Sequence, residues 1–251
     1  MVDDGGRRPI DGDGASGTSI DVRFLRQDHA GPAAARNHGA REARFPWLAF
    51  IDDDCVPRRD WLRAIGRRFC RTPASAVSGR TINAVEGNRY SMASQALIDY
   101  LHDYYQHPTT GVRFATSSNL AFPAQAFRAM GGFDTSFPRA GGEDRELCDR
   151  WIADGRDIQY AEDAIVDHHH AMSLAGFWRQ HVNYGRGAYE FRRARRRRLA
   201  EPVPVEPLSF YLGLVRRPAH ECPGRPSLTL LAVLSQVANA AGFAVEALRA
   251  R

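Results

Sequence analysis

The chain has 251 residues, 43% apolar and 25% charged, which is enough to bury one large core and ordinary enough to exclude a disordered chain. Its net charge of +5 is concentrated, because Arg192, Arg193 and Arg195 to Arg198 put six arginines into seven positions; such a run engages an anionic partner or merely solvates a helix end. The four cysteines, Cys55, Cys70, Cys148 and Cys222, lack the paired spacing of a zinc site or disulfide framework, and the polar opening residues show no signal-peptide pattern, so a reducing, cytoplasmic setting is expected.

In chain order, Met1 to Gly6 reads as the end of a strand closed by an acidic pair and glycines, followed by a Gly/Asp/Ser loop over Arg7 to Ser19. Ile20 to Leu25 alternates as a short strand, and Gly31 to Arg44 is a helix with Pro32 in its first turn. Trp47 to Ile51 is a short apolar run ending in Asp52-Asp53-Asp54. Hydrophobicity on both faces predicts a buried parallel strand with the acids at its carboxyl edge, where open α/β sheets bind ligands. Asp60 is expected to cap a helix over Trp61 to Phe69.

Ala76 to Ala84 and Ala115 to Phe122 are strand-like, Ser91 to Tyr105 is a helix, and Pro123 opens a helix that Gly131-Gly132 stops. After the loop Phe133 to Gly142, a helix begins at Glu143 and runs to about Asp154, which sets Glu143 and Asp144 near the positive end of its dipole. Ile158 to Tyr160 and Ala164 to Val166 are short strands leading to His168-His169-His170. Ser173 to Leu199 is helical, Pro202 to Pro226 is a proline-broken linker, and Leu228 to Leu248 is a final helix. That helix has the length of a bilayer span, but Ser235, Gln236, Asn239 and Glu246 make it too polar to cross alone. It either lies on a membrane or packs as a core helix, and the upstream arginines favour anionic lipid. Two parts are therefore expected, residues 1–200 and 201–251.

Three clusters, Asp52 to Asp54, Glu143-Asp144 and His168 to His170, each follow a strand or open a helix at a loop. Three adjacent carboxylates repel unless a cation holds them. Two acids of an Asp-x-Asp turn and an imidazole suit a hard divalent cation and leave positions for phosphate oxygens. A separate carboxylate such as Asp144 can then serve as general base. Read singly, the acid triplet is equally a solvated turn, Glu143 only complements its helix dipole, Arg36 is an ordinary ion-pair partner, and His169 and His170 are structural or solvent-facing.

Taken in order, Asp3-Asp4-Gly5, Ala35-Arg36-Asn37-x-Gly39, Phe50-Ile51-Asp52-x-Asp54, Gly131-Gly132-Phe133-Asp134, Glu143-Asp144-x-Glu146-Leu147 and His168-x-His170 resemble the family 2 glycosyltransferases of GT-A fold, over about Met1 to Gly187. Pro57-x-x-x-Trp61-Leu62 and Tyr184-Gly185-Arg186-Gly187 fit the same pattern. The resemblance implies an α/β fold with a mixed, mainly parallel sheet flanked by helices and a C-terminal helical extension. It implies that Asp52 and Asp54, around the variable Asp53, hold Mg²⁺ or Mn²⁺ against the diphosphate of a nucleotide sugar, with His168 completing the contact. Asp3 or Asp4 would meet the nucleotide base or ribose, Arg36 would lie near the nucleotide, and Asn119 would line the sugar or acceptor pocket. Asp144, with Glu143 beside it, would deprotonate a saccharide, lipid-linked or other hydroxyl acceptor, with inversion at the anomeric centre.

Family members ordinarily place a strand, a helix and a second strand before the Asp-Asp-Gly turn, so the chain is expected to be N-terminally truncated. The setting expected is the cytoplasmic face of a membrane. Two other readings compete: a metal-dependent phosphohydrolase or nucleotidyltransferase on the same clusters, and an inactive fragment binding lipid or nucleic acid through its arginine run. The run has no interleaved aromatic residues, which argues against a single-strand stacking platform.

Overall fold

The computed structural model describes residues 1–6, 21–107, 111–199, 205–221 and 224–250; the expected loop Arg7 to Ser19, Ile20 and Cys222 lie outside them. The first half contains β1 (Val2–Asp4), β2 (Leu25–Gln27), α1 (Pro32–Glu42), β3 (Trp47–Phe50), β4 (Cys55–Pro57), α2 (Trp61–Arg71), β5 (Ala76–Asn83) and α3 (Arg89–Tyr105). The second contains β6 (Gln106–His107), β7 (Gly111–Val112), β8 (Leu120–Pro123), α4 (Ala124–Ala129), α5 (Glu143–Ala153), β9 (Ile158–His168), α6 (Leu174–Leu199), α7 (Leu208–Glu221) and α8 (Pro226–Arg249).

The central sheet has five strands in the order β3-β8-β5-β9-β4. The β5–β9 pair is parallel, whereas β3–β8, β5–β8 and β4–β9 are antiparallel. A mixed sheet flanked by helices is thus present, but the expected parallel majority is not. The expectation fails at β3, which pairs with β8 alone at the sheet edge rather than lying buried among parallel neighbours. Trp47 is 44% exposed there, yet its ring stacks on Phe69 at 5.2 Å. An apolar run therefore marks a covered edge strand as readily as a central one.

Each face of the sheet is sealed by its own apolar cluster. On one, Leu48 and Phe122 pack with Phe127, Phe133, Leu147 and Trp151 from α4, α5 and the loop between them. On the other, Trp61, Ile65 and Phe69 of α2, recurring at helical spacing, cover Val77, Ala121 and Val166. Truncating a fully buried side chain such as Trp151 would cost about 3–5 kcal/mol.

Several boundaries differ from the sequence reading. The two short strands expected over 158–166 form the single β9, because a register shift between Gly79 and Arg80 absorbs the polar Glu162-Asp163 step. Only Gly79 fits there, since a Cβ would stand 2.3 Å from the Ala164 carbonyl oxygen. The strand expected from Ala115 starts only at Leu120, after a 3-10 turn over Ser117–Asn119. The early strand lies at Leu25–Gln27 rather than Ile20 to Leu25. Asp60 occupies the N-cap of α2 without a side-chain cap bond and pairs with Arg63 at 3.3 Å.

The expected linker contains α7. Phe210 and Leu214 bury themselves against Leu97 and Ala232, and the Tyr100 hydroxyl donates to the Phe210 carbonyl at 2.9 Å. That burial overrides the proline signal that predicted a break. Helix α8 packs along α6 at very short range, because Gly185 faces the Asn239 carbonyl and Gly242 faces the Val182 carbonyl, where any Cβ would collide.

Candidate active site

The antiparallel ladder between β4 and β9 sets Cys55 opposite His168, and the His169 amide donates to the Asp54 carbonyl at 2.8 Å. Side chains alternate along a strand, so His168 and His170 point to one side and His169 to the other. Asp54 consequently meets His168 Nε2 at 3.3 Å and His170 Nδ1 at 2.9 Å, while His169 is exposed. Hydrogen bonds from His168 and His170 hold the Asp54 carboxyl well below the usual carboxylate range, against the opposing cost of burial. The Asp54 carboxylate in turn raises His170. His170 belongs to the cluster, contrary to its reading as a structural or solvent-facing residue; the His-x-His spacing on a strand end was the signal.

Asp54, Cys55 and His168 each bring one ligand atom within 4.8 Å of the others, forming a group that can hold a metal ion. Burial, with Asp52 and Asp54 nearby, pushes the Cys55 thiol up to about 12. A hard divalent cation prefers oxygen donors to its sulfur. The remaining donors, a carboxylate oxygen and an imidazole nitrogen, suit Mg²⁺ or Mn²⁺. Asp52 is not in this group: its Oδ1 accepts from Arg36 at 2.7 Å.

Arg36 joins two parts of the site. One arm of its guanidinium reaches Asp52 and the other reaches Glu143 Oε1 at 3.0 Å, with the Phe133 ring centroid 5.5 Å away. Although burial opposes its charge, Asp52 and Glu143 hold Arg36 firmly protonated. Glu143 is 3% exposed and spends its other oxygen on the Gly141 amide at 2.7 Å. Asp144 is half-buried, and its Oδ1 accepts from the neighbouring Arg145 amide at 2.7 Å. Desolvation first, then the adjacent Glu143, push its carboxyl up to about 7. A carboxyl poised there can take a proton near neutrality; Glu143, saturated by its partners, is a brace.

Gly142 enables this arrangement. It enters α5 in a left-handed conformation, φ 97°, so the chain turns sharply just before the acidic pair. Asn37 anchors the loop before it, accepting from the Phe133 amide at 2.9 Å and donating to the Phe133 carbonyl at 2.8 Å. The Asn37 motif position was legible in the sequence, whereas its role as a loop anchor was not.

Near the N-terminus the two aspartates divide. Asp4 accepts from the Ala30 and Gly31 amides at 2.9 Å and from Gln27 Nε2 at 2.8 Å, so it braces the entry to α1. Asp3 is 6% exposed, with Oδ1 taken by the Gly6 amide and Oδ2 lacking a hydrogen-bond donor, Arg26 standing 3.5 Å away. Asp53 is exposed. Asn119 is corrected from a pocket residue to a core tie: its Nδ2 donates to the Arg80 and Ala164 carbonyls and its Oδ1 accepts from Trp61 Nε1 at 2.9 Å. Both its amide hydrogens and its carbonyl oxygen are engaged between β5, β9 and α2.

The arginine run is largely engaged, with Arg196 and Arg197 exposed. Arg195 and Arg198 pair with Asp149, Arg198 also with Glu146, Arg193 with Glu190, and Arg192 lies over the Phe243 ring. Arg193, Arg197 and Arg198 line a cavity of about 480 Å³ together with Arg150, Glu146 and Glu190, away from the Asp54 cluster.

A family model described as "Glycosyl transferase family 2" matches residues 2–131, and one described as "N-terminal domain of galactosyltransferase" matches residues 102–172. A pre-mycofactocin glycosyltransferase of Mycobacterium tuberculosis is 34% identical over 194 residues, 75% of this chain. The chain spans 41% of that relative's length. A chondroitin synthase of Escherichia coli is 23% identical over 189 residues, covering 59% of this chain and 26% of its own length. Among solved structures, a mannosyltransferase from Pyrobaculum calidifontis in complex with GDP-Man and Mn²⁺ superposes with TM-score 0.55 at 16% identity, covering 99% of this chain and 69% of that one. Its likeness establishes a shared GT-A fold.

Proposed function

The chain belongs to glycosyl transferase family 2, and from that premise we propose that it moves a sugar from a nucleotide-diphosphate sugar to a hydroxyl acceptor, with a divalent metal ion and with inversion at the anomeric carbon. The observation that carries the reading is the meeting of Asp54 with His168, which builds an oxygen and nitrogen donor pair from two distant segments. Asp54 and His168 would hold the Mg²⁺ or Mn²⁺, which supplies neutralisation of the diphosphate's charge. Asp52, whose Oδ1 is now held by Arg36, would add a further carboxylate to the metal, and the planar Arg36 fork would suit a phosphate oxygen as well as a carboxylate.

Asp144 accepts the acceptor's hydroxyl proton as the new oxygen–carbon bond forms on the face opposite the leaving group. The bond from the anomeric carbon to the diphosphate oxygen breaks, its electron pair leaves with the diphosphate, and the configuration inverts. Glu143 holds Arg36 and the Gly141 amide, so that Asp144 keeps its position. The unsatisfied Oδ2 of Asp3 supports a contact to a nucleotide base or ribose donor group. Of the two expected aspartates, Asp3 is the one whose Oδ2 makes no hydrogen bond, though it is buried and ion-paired with Arg26 at 3.5 Å.

Thermal unfolding in the presence of UDP or GDP with Mn²⁺ tests the donor half. A native-state ligand at a hundredfold excess over Kd stabilises by about 2.7 kcal/mol. Incubation with UDP- and GDP-sugars and hydroxyl acceptors, with product anomers assigned by NMR, tests the transfer. Absence of stabilisation by every nucleoside diphosphate, or metal-dependent phosphoester hydrolysis without sugar transfer, overturns the reading.

A further inference from the structure

We propose that the outward face of α8 is a docking surface for an anionic lipid bilayer, on which the helix lies flat. The face is a stripe of Leu230, Val233, Val237, Ala240, Ala244 and Leu248, spaced three or four residues apart, all exposed. Leu230 and Leu248 are each 69% exposed and Val237 is 53% exposed. At 1.5 Å per residue the stripe is about 27 Å long. Uncovered apolar side chains in such a row, without a polar interruption, are costly in water.

The helix is long and apolar enough to cross a membrane, but in this fold its other face is packed on the body. Its opposite face, including Leu228, Leu231, Ala232, Ser235, Ala238 and Gly242, is buried. Gly185 and Gly242 bring α6 and α8 into backbone contact, and Arg186 pairs with Glu246 at 2.5 Å across that contact. An apolar stripe fixed on the outside of a folded body fits an interfacial helix.

Charge decides the occupant. From Val205 to Ala250, the described acidic side chains are Glu206 and Glu246. Glu206 accepts from the Tyr104 and Tyr105 hydroxyls and Glu246 is held by Arg186, so neither offers charge to a partner. Arg225 and Arg249, at the two ends of the helix, are exposed. A second copy laid on the stripe, in either direction, would bring the exposed Arg225 and Arg249 against arginine, with no acid between them among the described side chains. An anionic headgroup layer meets both ends favourably while the stripe enters the boundary of its acyl region. The arginines of α6 are largely paired internally, so the attraction is assigned to the ends of α8 instead.

Flotation of the whole chain with vesicles of phosphatidylcholine, alone or mixed with phosphatidylglycerol, tests this. Binding is expected to the mixed vesicles and to weaken with salt. Leu230→Glu combined with Val237→Glu, both at exposed positions, should lower partitioning about tenfold or more, and Arg225→Ala about fivefold. An unchanged thermal midpoint shows that these variants fold. The proposal is overturned if the wild type ignores anionic vesicles, if the double variant binds them as well as the wild type, or if the wild type is a stable dimer that the double variant splits. It stands or falls independently of sugar transfer.

Discussion

The Asp54 carboxylate and the His168 imidazole meet at 3.3 Å because Cys55, the next residue after Asp54, is the direct ladder partner of His168. The site is therefore written into strand register. A slip of one residue would turn the exposed His169 toward Asp54 and His168 and His170 away from it. Chemistry and folding share a determinant here: the pairing that closes the sheet edge also brings together the donors that could hold a metal ion.

Asp54→Asn is expected to abolish stabilisation by Mn²⁺ with nucleoside diphosphate and to lower kcat/KM at least about a hundredfold, since even residues behind a metal ligand cost 10–100-fold. Its effect on stability depends on pH. The depressed Asp54 carboxyl contributes stability that is present above its ordinary 3.8 and is lost as pH falls through its lower folded value. The raised His170 contributes stability present below 6.5 and lost as pH rises through its folded value. The difference in thermal midpoint between wild type and variant should therefore be greatest between about pH 4 and 6.5, and a flat difference across pH would count against the cluster.

Asp144→Asn should lower kcat/KM by about 10²–10⁴-fold, the usual contribution of a general base, while leaving metal and nucleotide stabilisation intact. In the wild type, activity should rise with pH along an acid limb near 7, where the Asp144 carboxyl loses its proton. Stability should run the opposite way. The native state keeps a proton that the unfolded chain releases at 3.8, so stability declines as pH rises from about 4 to 7. The variant should lose that slope; a variant with full activity would remove Asp144 from the mechanism.

The motif-bearing segments were legible because each pairs a strand end or helix start with a distinctive polar cluster, and α1, α2, α5 and α8 followed from periodicity and glycine or proline signals. What sequence could not supply was partner identity. Asp52 and Asp54 are two residues apart yet face Arg36 and His168 respectively. Asp3 and Asp4 are adjacent, but only Asp4 is consumed by the entry to α1. Asn119 sits in a polar triplet typical of a pocket, and the long-range packing of Trp61 makes it a core tie. The Trp47 run gave no pairing direction, and α7 emerged from burial against α3, which local prolines mask.

Arg36→Ala is expected to destabilise the protein by about 3 kcal/mol or more, because Glu143, 3% exposed, is left as a buried charge without its cation. Arg36→Lys should recover part of this. It restores the charge but not a fork that spans Asp52 and Glu143 together. Since Arg36 also favours the ionised form of Asp144, the acid limb of activity should move to higher pH in Arg36→Ala. Urea unfolding at pH 7 and the pH profile check the two halves, and a stability within 0.5 kcal/mol of wild type, the usual range for a surface change, would contradict the bridge.

Gly187→Ala tests whether α6 positions the catalytic loop. A Cβ at Gly187 would lie 1.8 Å from the Gly141 carbonyl oxygen, and Gly142 in turn approaches the Gly187 backbone. The loop must therefore retreat, carrying the Gly141 amide that holds Glu143 and the left-handed turn that sets Asp144. Overpacking of this kind costs about 1–3 kcal/mol, and a displacement near 1 Å at a reacting group costs about a hundredfold in rate. Gly66, which has nothing within 4 Å of a Cβ, serves as the control: Gly66→Ala on α2 should leave rate unchanged and raise stability slightly. Equal effects of the two substitutions on kcat would show that the contact between α6 and the 141–142 loop does not position Asp144.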